Sequence, residues 1–255
     1  MIFSIIVPFF NEELHIARCT ESLLNQNFDP GEYEVIFIDN NSTDASLKVV
    51  EGYSHVLCLR EERQGAYAAR NRALAIAKGR IVAFTDADCQ ACPDWLAQIY
   101  EGMQRTSAAI VVGKRSVSPN ASLTLRLFEA YDNAKIEYVL NQPQKKYCFG
   151  FTNNMAVKAD IFKDIGAFLE IPRGADTEFV QRYLARYPEG RIAYLPDMRI
   201  THLELEDWRA IFNKARIYEQ SNRFIQKISY YRILDWQTRL KILSYCIRKK
   251  TISHE

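Results

Sequence analysis

The feature that most constrains this chain is a short apolar stretch that runs directly into two carboxylates. Residues 81–85 are apolar or small and predict a buried strand, and Asp86 and Asp88 follow that strand at once. Two like charges this close repel, and leaving them partly buried costs several kcal/mol unless a cation neutralises them. Because oxygen ligands suit Mg²⁺ or Mn²⁺, the pattern predicts a metal–diphosphate site at a strand's carboxyl end. A surface turn with two solvated aspartates would explain Asp86 and Asp88 equally well, so other parts of the sequence are needed to choose between the two interpretations.

Length and composition bound the class of protein. The chain has 255 residues, 48% hydrophobic and 25% charged, which is typical of one large soluble domain, alone or with an appendage. No run approaches the roughly 20 apolar residues that span a bilayer, and residues 1–10 lack the basic start and the cleavage site of a signal peptide. We therefore expect a cytoplasmic protein. The six cysteines are scattered, which favours reduced thiols, and the single C-x-x-C pair of Cys89 and Cys92 lacks a second Cys/His pair nearby.

Strand and helix patterns alternate along the first half of the chain. Apolar, largely β-branched runs predict strands at 3–8, 33–38, 56–59, 81–85 and 109–112, and helical patterns separate them. This alternation is typical of parallel βαβ units, so the predicted fold class is α/β, with a mostly parallel central sheet flanked by helices. Ligands of such sheets bind outside the carboxyl ends of the strands. Asp39 ends the second predicted strand and should therefore share a crevice with Asp86 and Asp88.

The second half contains polar groups that allow both a structural and a functional interpretation. Asp176 and Glu178 open a predicted helix, where acids often do no more than interact with the helix dipole. His202 follows a short strand, and a lone histidine is more often structural than a metal ligand. A loop that enters a strand suits either a plain turn or a hydrogen-bonding wall for a polyhydroxylated ligand. Its candidate acceptor-binding residues are Phe151, Thr152, Asn153 and Asn154.

The net charge of +2 is unevenly distributed. Residues 208–250 contain eleven Lys or Arg and only two acids, so this segment carries +9 and residues 1–207 carry −6. Two amphipathic helical patterns lie in it, the second with Ile233, Trp236, Leu240, Leu243 and Ile247 near one face. We interpret residues 206–255 as a basic helical tail. It either binds an anionic membrane surface peripherally or packs on its own domain.

Six motifs stand in a fixed order along the chain. They are VPFFNE at 7–12, IDNNSTD at 38–44, GAYAARN at 65–71, FTDAD at 84–88, GADTE at 174–178, and YLPD at 194–197 leading to His202. Together they resemble glycosyltransferase family 2 over roughly residues 1–205. The resemblance implies a GT-A fold, with a nucleotide-binding half (1–114) and an acceptor and catalytic half (115–205). It further implies metal-dependent, inverting transfer from a nucleotide-diphosphate sugar to an acceptor hydroxyl.

The resemblance also implies roles for individual residues on the donor side. Matching positions would line the nucleotide pocket or contact the nucleotide: Pro8, Phe10, Glu12, Asp39, Arg70 and Asp86. Asp39 would hydrogen-bond the base or ribose, and Asp86 would contact ribose or metal. Asp88 would bind Mn²⁺ or Mg²⁺ directly, and His202 matches a position that can ligate the metal.

On the acceptor side, Asp176 matches the general base. This chain departs from the family pattern at two places: Asn40 and Asn41 replace the usual Asp-Gly, and Ala175 replaces the usual Glu. The first departure leaves the base preference open, although a UDP-sugar is the favoured donor, and the second keeps Glu178 as a rival base. A glycan or lipid-linked saccharide is the expected acceptor, and no nucleic acid is expected.

Other functions also fit parts of the sequence. Residues 220–224, QSNRF, vaguely resemble the Gln-x-x-Arg-Trp motif of processive polysaccharide synthases of the same family, but the sequence has no transmembrane helices to form an export channel. A catalytically inactive nucleotide-sugar-binding protein, or a membrane adaptor, would keep the fold but would not need all the acids.

Overall fold

The computed structural model describes residues 1–118, 120–142, 147–203, 221 and 225–252. Its centre is an eight-stranded sheet with the order β3-β2-β1-β4-β7-β6-β8-β5. The strands are β1 Phe3–Phe9, β2 Tyr33–Asp39, β3 Leu57–Arg60, β4 Ile81–Thr85, β5 Cys89–Ala91, β6 Ile110–Val117, β7 Asn154–Lys158 and β8 Ile192–His202. β1 to β4 pair in parallel, as do β6 and β8, whereas β7 runs antiparallel to both its neighbours and β5 runs antiparallel to β8. The predicted α/β class with a mostly parallel sheet is confirmed.

Helices cover both faces of the sheet. They are α1 Ile16–Leu24, α2 Ser46–Glu51, α3 Ala66–Leu74, α4 Trp95–Thr106, α5 Leu123–Leu140, α6 Ala159–Ile165, α7 Ala175–Arg186 and α8 Trp236–Ile252. Successive residues of a strand point to opposite faces, so Ile5 of β1 packs in the core with α1 and α4, and Ile6 packs in the core with α3 and α7. This three-layer arrangement leaves the carboxyl ends of β1, β2 and β4 on one edge.

Two local features are not evident from the sequence. The helix after Asp39 begins at Ser46, behind Ala45, and no side chain caps it. Ser42 and Thr43 lie in the preceding loop, where Asn11 Oδ1 accepts a hydrogen bond from Thr43 N at 2.8 Å. The strand β8 is also longer than predicted, because a register shift next to Gly113 lets its pairing with β6 continue to His202. That extension carries His202 to the edge where Asp88 lies.

The basic segment forms one described helix, α8, which packs along α5. The ring centroids of Tyr138 and Tyr245 lie 5.6 Å apart, and Ile242 is fully buried in a small core with Val139 and Tyr147. The first predicted amphipathic helix lies mostly outside the described residues, and of the QSNRF motif only Ser221 is described. Its hydroxyl accepts a hydrogen bond from Arg173 N at 3.1 Å.

The boundary predicted at residues 114 and 115 falls inside β6, and the division of the chain into halves and tail stays a prediction. Among the described helices, none has the length and apolar character needed to cross a bilayer.

Candidate active site

The donor side of the candidate site lies where β1 and β2 end. Pro8 is in β1, Phe10 follows that strand and is about half exposed, and Glu12 is partly buried, with its backbone N donating to Ser46 Oγ at 2.7 Å. Asp39, the last residue of β2, is fully buried and accepts a hydrogen bond from Ser42 N at 2.9 Å. Its second oxygen lies 3.7 Å from Arg60 Nε and has no hydrogen-bond partner among the described residues. A buried acceptor of this kind is a candidate ligand contact.

Asn40 and Asn41, which depart from the family pattern, have structural roles. Asn40 is buried, donates to the carbonyls of Glu61 and Arg63, and accepts from Gly65 N at 2.7 Å. Asn41 has a φ of 69°, a left-handed conformation that glycine adopts freely and asparagine tolerates better than most residues. Asn41 therefore keeps the turn that the usual glycine would make, and Asn40 fixes the loop from 61 to 65 against β2.

Arg70 joins the donor side to the acceptor side. It is almost fully buried on α3, forms an ion pair with Asp86, and lies over the ring of Tyr67 at 5.3 Å. Its positive charge also lowers the pKa of Asp176, against a larger effect of burial. Arg70 is therefore held between two candidate site carboxylates rather than on an open surface.

The candidate metal centre is made by the pairing of β5 with β8. Cys89 is opposite His202 in this pairing, and Leu203 N donates to the carbonyl of Asp88 at 2.7 Å. As a result, Asp88 Oδ2 and His202 Nε2 lie 3.2 Å apart. Asp88, Cys89 and His202 each offer one ligand atom within 4.8 Å of the other two.

The chemistry of these donors discriminates between metal ions. Burial, followed by the charges of Asp88 and Asp86, raises the pKa of the Cys89 thiol well above its usual value, and the thiol lies 3.3 Å from Asp88 Oδ1 as a hydrogen-bond donor. In the absence of a metal ion, Cys89 is therefore a neutral thiol that donates a hydrogen bond to Asp88. The remaining carboxylate and imidazole fit Mn²⁺ better than Mg²⁺, which prefers oxygen ligands.

Asp176 occupies the first turn of α7 and is buried. One carboxylate oxygen accepts a hydrogen bond from Thr177 N at 2.8 Å, and the other accepts from Thr152 N at 3.2 Å. Burial raises the pKa of Asp176 above its ordinary value, and these two hydrogen bonds only partly oppose that effect. Because each carboxylate oxygen has more than one acceptor direction, the group is fixed in position and can still accept a proton.

The contacts of Glu178 do not favour it as a rival base, and that role stays a prediction. Its side chain is fully buried, and Oε1 is 3.2 Å from Arg182 Nε and accepts a hydrogen bond from Tyr230. Burial raises the pKa of Glu178 as well. We interpret this residue as a buried link between α7 and the segment before α8.

The candidate acceptor loop starts beside β4, the strand that precedes Asp86 and Asp88. Thr85 pairs with Asn154 in the antiparallel register of β4 and β7, so the residues before Asn154 leave the sheet next to Asp86. Phe151 is half-buried beneath the Arg115 guanidinium, 4.5 Å from the ring centroid, and Thr152 is buried with its backbone N on Asp176. Asn153 Oδ1 is buried and has no partner among the described residues.

The structure does not favour the expectation that the Asn154 side chain contacts an acceptor. Asn154 is fully buried, its Oδ1 accepts from Trp95 Nε1 at 2.8 Å, and its Nδ2 donates to the carbonyls of Lys114 and Met198 at 2.8 and 2.9 Å. Three hydrogen bonds occupy both ends of the amide. Asn154 therefore joins β6, β7, β8 and α4 behind the site.

Replacing Asn154 by Ala should destabilise the fold. The substitution leaves the indole N–H of Trp95 and two backbone carbonyls without partners and opens a cavity, so we expect the free energy of unfolding to fall by about 3 kcal/mol. Urea unfolding measures this loss, and Asn141→Ala on the exposed end of α5 is the matched control. Unchanged stability together with lost acceptor binding would restore Asn154 to the acceptor site.

Sequence reasoning missed Tyr67 and Gly150. Tyr67 lies one helical turn before Arg70, and its hydroxyl is 3.5 Å from Asp176 N, so the i, i+3 spacing was the available signal. A Cβ on Gly150 would lie 2.5 Å from the carbonyl oxygen of Asp176, so only glycine lets the loop approach the first turn of α7 this closely.

Comparisons with known proteins agree with this architecture. Glycosyltransferase AglE of Haloferax volcanii is 27% identical over 186 residues, which cover 70% of this chain and 60% of that protein. The structure of Staphylococcus aureus TarS 1–349 in complex with UDP-GlcNAc matches 97% of this chain and 72% of that chain, with 23% identity and a TM-score of 0.70. Mannosyltransferase PcManGT of Pyrobaculum calidifontis, solved with GDP-Man and Mn²⁺, matches 96% of this chain and 69% of that chain, with 20% identity and a TM-score of 0.66.

The chain thus spans 60% of the length of AglE, and the two solved structures share its fold. The family model of glycosyl transferase family 2 matches residues 4–166, which is more than half of the chain and contains Asp39, Arg70, Asp86 and Asp88. The chain belongs to glycosyl transferase family 2.

Proposed function

We propose that this protein is an inverting glycosyltransferase that moves a sugar from a nucleotide-diphosphate sugar to an acceptor hydroxyl. The observation that carries the proposal is the arrangement around Arg70, which pairs with Asp86 next to the Asp88–His202 pair and also acts on the buried Asp176. Acidic groups suited to two different tasks thereby interact with the same arginine.

On the donor side, Asp88 and His202 would hold a divalent ion, with Mn²⁺ favoured by the donor set. When bound, such an ion acts as a Lewis acid that stabilises negative charge on a departing diphosphate. Asp86, fixed by Arg70, would orient the ribose or assist the metal ligands, and Asp39 and Phe10 would bind the nucleotide. These residues would bind and orient the donor.

On the acceptor side, Asp176 would take the proton of the attacking hydroxyl. Its raised pKa makes it a stronger base than an ordinary aspartate, and Thr152 N and Thr177 N hold it in one orientation. Attack from the face opposite the leaving diphosphate breaks the bond to the anomeric carbon in a single displacement, which inverts the configuration at that carbon. No covalent intermediate on the protein is needed.

A UDP-sugar is the proposed donor. S. aureus TarS, which shares the fold, was solved with UDP-GlcNAc, whereas P. calidifontis PcManGT was solved with GDP-Man. A glycan or a lipid-linked saccharide is the proposed acceptor, with Phe151 and Asn153 on the wall that meets it; the aromatic face of Phe151 suits a sugar ring.

The proposal is tested by presenting nucleotide sugars to the full chain with and without Mn²⁺. We expect one class of donor to raise the melting temperature only when metal is present, and that donor to be slowly hydrolysed without an acceptor. A protein that binds nucleotide sugars without catalysis would give the thermal shift and no hydrolysis. Absence of both effects over a panel of UDP-, GDP- and dTDP-sugars contradicts the proposed function.

A further inference from the structure

The helix α8 buries one face and exposes a second apolar face. Trp236, Leu240, Leu243 and Ile247 are 68%, 54%, 46% and 59% exposed, respectively. Their spacing of four, three and four residues places them in one row along the helix. The row is the face that the sequence predicted to be apolar, but the helix packs on α5 through a different side, which includes the fully buried Ile242. A helix that packs on its own domain ordinarily buries its apolar row.

The charges of α8 are all of one sign. The helix contains five basic residues and no acid: Arg239, Lys241, Arg248, Lys249 and Lys250. Lys249 pairs with Glu137 of α5, whereas Arg239, Lys241 and Arg248 are exposed. On a helical projection, Arg239 lies on one side of the apolar row and Lys241 and Arg248 lie on the other.

We propose that the exposed face of α8 docks on an anionic lipid surface. An apolar row with a tryptophan at one end and basic residues on both sides is the pattern of a helix that lies in a membrane interface, where the row enters the acyl boundary and the cations meet lipid phosphates. A second copy of the chain is the less suitable occupant, because two helices without acidic residues would bring like charges together. Charge complementarity therefore selects an anionic bilayer.

The buried side of α8 and the residue before the helix lie close to the candidate acceptor loop. Tyr147 Oη donates to Asp235 just before α8 at 2.6 Å, and Phe149 packs in the same small core as Ile242. Lys135 of α5 lies 5.3 Å from the ring centroid of Phe151. Docking of α8 would therefore bring the acceptor loop to within about one helix diameter of the lipid surface and favour a lipid-linked saccharide as acceptor, a consequence that rests on the proposed function.

The test is flotation of the full chain with vesicles, without any nucleotide sugar. We expect binding to phosphatidylcholine vesicles that contain phosphatidylglycerol, weaker binding to phosphatidylcholine alone, and loss of the difference at high salt. The double variant Leu240→Ser/Ile247→Ser should bind at least roughly tenfold more weakly. Leu14→Ser is the matched control, because Leu14 is 81% exposed and is distant from α8 in the sequence. This variant should bind like the unchanged protein.

Three outcomes would overturn the docking proposal. They are equal flotation of the double variant and the unchanged protein, equal binding to neutral and anionic vesicles, and a dimer that the double variant converts to monomer, which would assign the row to a second copy. Donor hydrolysis measured without vesicles should be the same in the double variant and the unchanged protein, so that a failed docking proposal and a failed proposed function give different results. The melting temperature of each variant checks that α8 still packs on α5.

Discussion

Replacing Asp176 by Asn will reduce sugar transfer by about a hundred- to ten-thousand-fold while donor binding is retained. The amide keeps the size of the carboxylate but cannot accept the proton of the attacking hydroxyl. Donor binding should be retained because the groups proposed to hold the nucleotide and the metal lie at the ends of β1, β2, β4 and β8, not on α7. Transfer is measured as release of nucleoside diphosphate with acceptor present, and donor binding is measured by calorimetry.

The same substitution should change stability little. Burial raises the pKa of Asp176, so its ionisation at neutral pH opposes folding, and an uncharged amide removes that cost. The amide nitrogen, however, would face one of the two backbone N–H donors of Thr152 and Thr177, which costs about 1 kcal/mol. Because the two effects oppose each other, the melting temperature should shift by only a few degrees, and lost activity can then be assigned to chemistry.

Two controls distinguish the base from its neighbours. Asp160→Asn changes an exposed acid in the first turn of α6 and should leave transfer unchanged. Glu178→Gln weakens the contacts with Arg182 and Tyr230, so it should lower the melting temperature more than it lowers transfer per folded molecule. If Glu178→Gln abolishes transfer in a folded protein and Asp176→Asn does not, the base assignment is wrong.

The raised pKa of Asp176 also predicts the pH dependence of the unchanged enzyme. Transfer needs the ionised carboxylate, so kcat/KM should fall as the pH drops through the pKa of Asp176, and this fall should begin at a higher pH than an ordinary aspartate would give. A pH–rate profile between about pH 4 and pH 8 measures the position of that limb. A limb at the ordinary aspartate value would contradict the effect of burial.

The sequence predicted the residues at the ends of the parallel strands better than the Asp88–His202 pair, for a physical reason. Asp39 and Asp86 directly adjoin the ends of parallel strands, so the alternation of strands and helices was enough to bring them to one edge. The contact between Asp88 and His202 depends on the three-residue strand β5 and on the register shift beside Gly113. No local pattern predicts such pairing, and only the family resemblance linked these two residues.

Local sequence patterns were also insufficient where a tertiary contact determined whether a side chain is buried or exposed. Asn154 looked like a ligand contact because amides in loops beside aromatic residues often are, but the indole of Trp95 fixes it inside the sheet. The apolar row of α8 was identified correctly from its spacing, and the structure exposes it because Ile242, on another side, meets α5. Periodicity identifies a face, but the neighbouring elements decide whether that face is buried.

Replacing Asp88 by Ala will abolish the metal dependence of donor binding and reduce transfer by at least about a hundredfold. The substitution leaves His202 Nε2 without the carboxylate that lies 3.2 Å away, and a single imidazole is too weak a ligand set to hold Mn²⁺ against water. Calorimetry with the nucleoside diphosphate, with and without Mn²⁺, should show equal affinities in the variant and a metal-dependent gain in the unchanged protein.

A readout that does not depend on turnover separates metal binding from catalysis. The electron paramagnetic resonance signal of free Mn²⁺ should fall when the unchanged protein and the nucleoside diphosphate are added, by more than the nucleotide alone produces, and Asp88→Ala should lose that difference. Asp197→Ala removes an exposed acid from the same strand as His202 and should behave like the unchanged protein.

Because the Cys89 thiol contacts Asp88 at 3.3 Å, Cys89→Ala should weaken Mn²⁺ binding only slightly if the thiol merely orients the carboxylate. A loss as large as that of Asp88→Ala would instead make the sulfur a ligand, and retained Mn²⁺ binding in Asp88→Ala would move the metal away from this pair altogether.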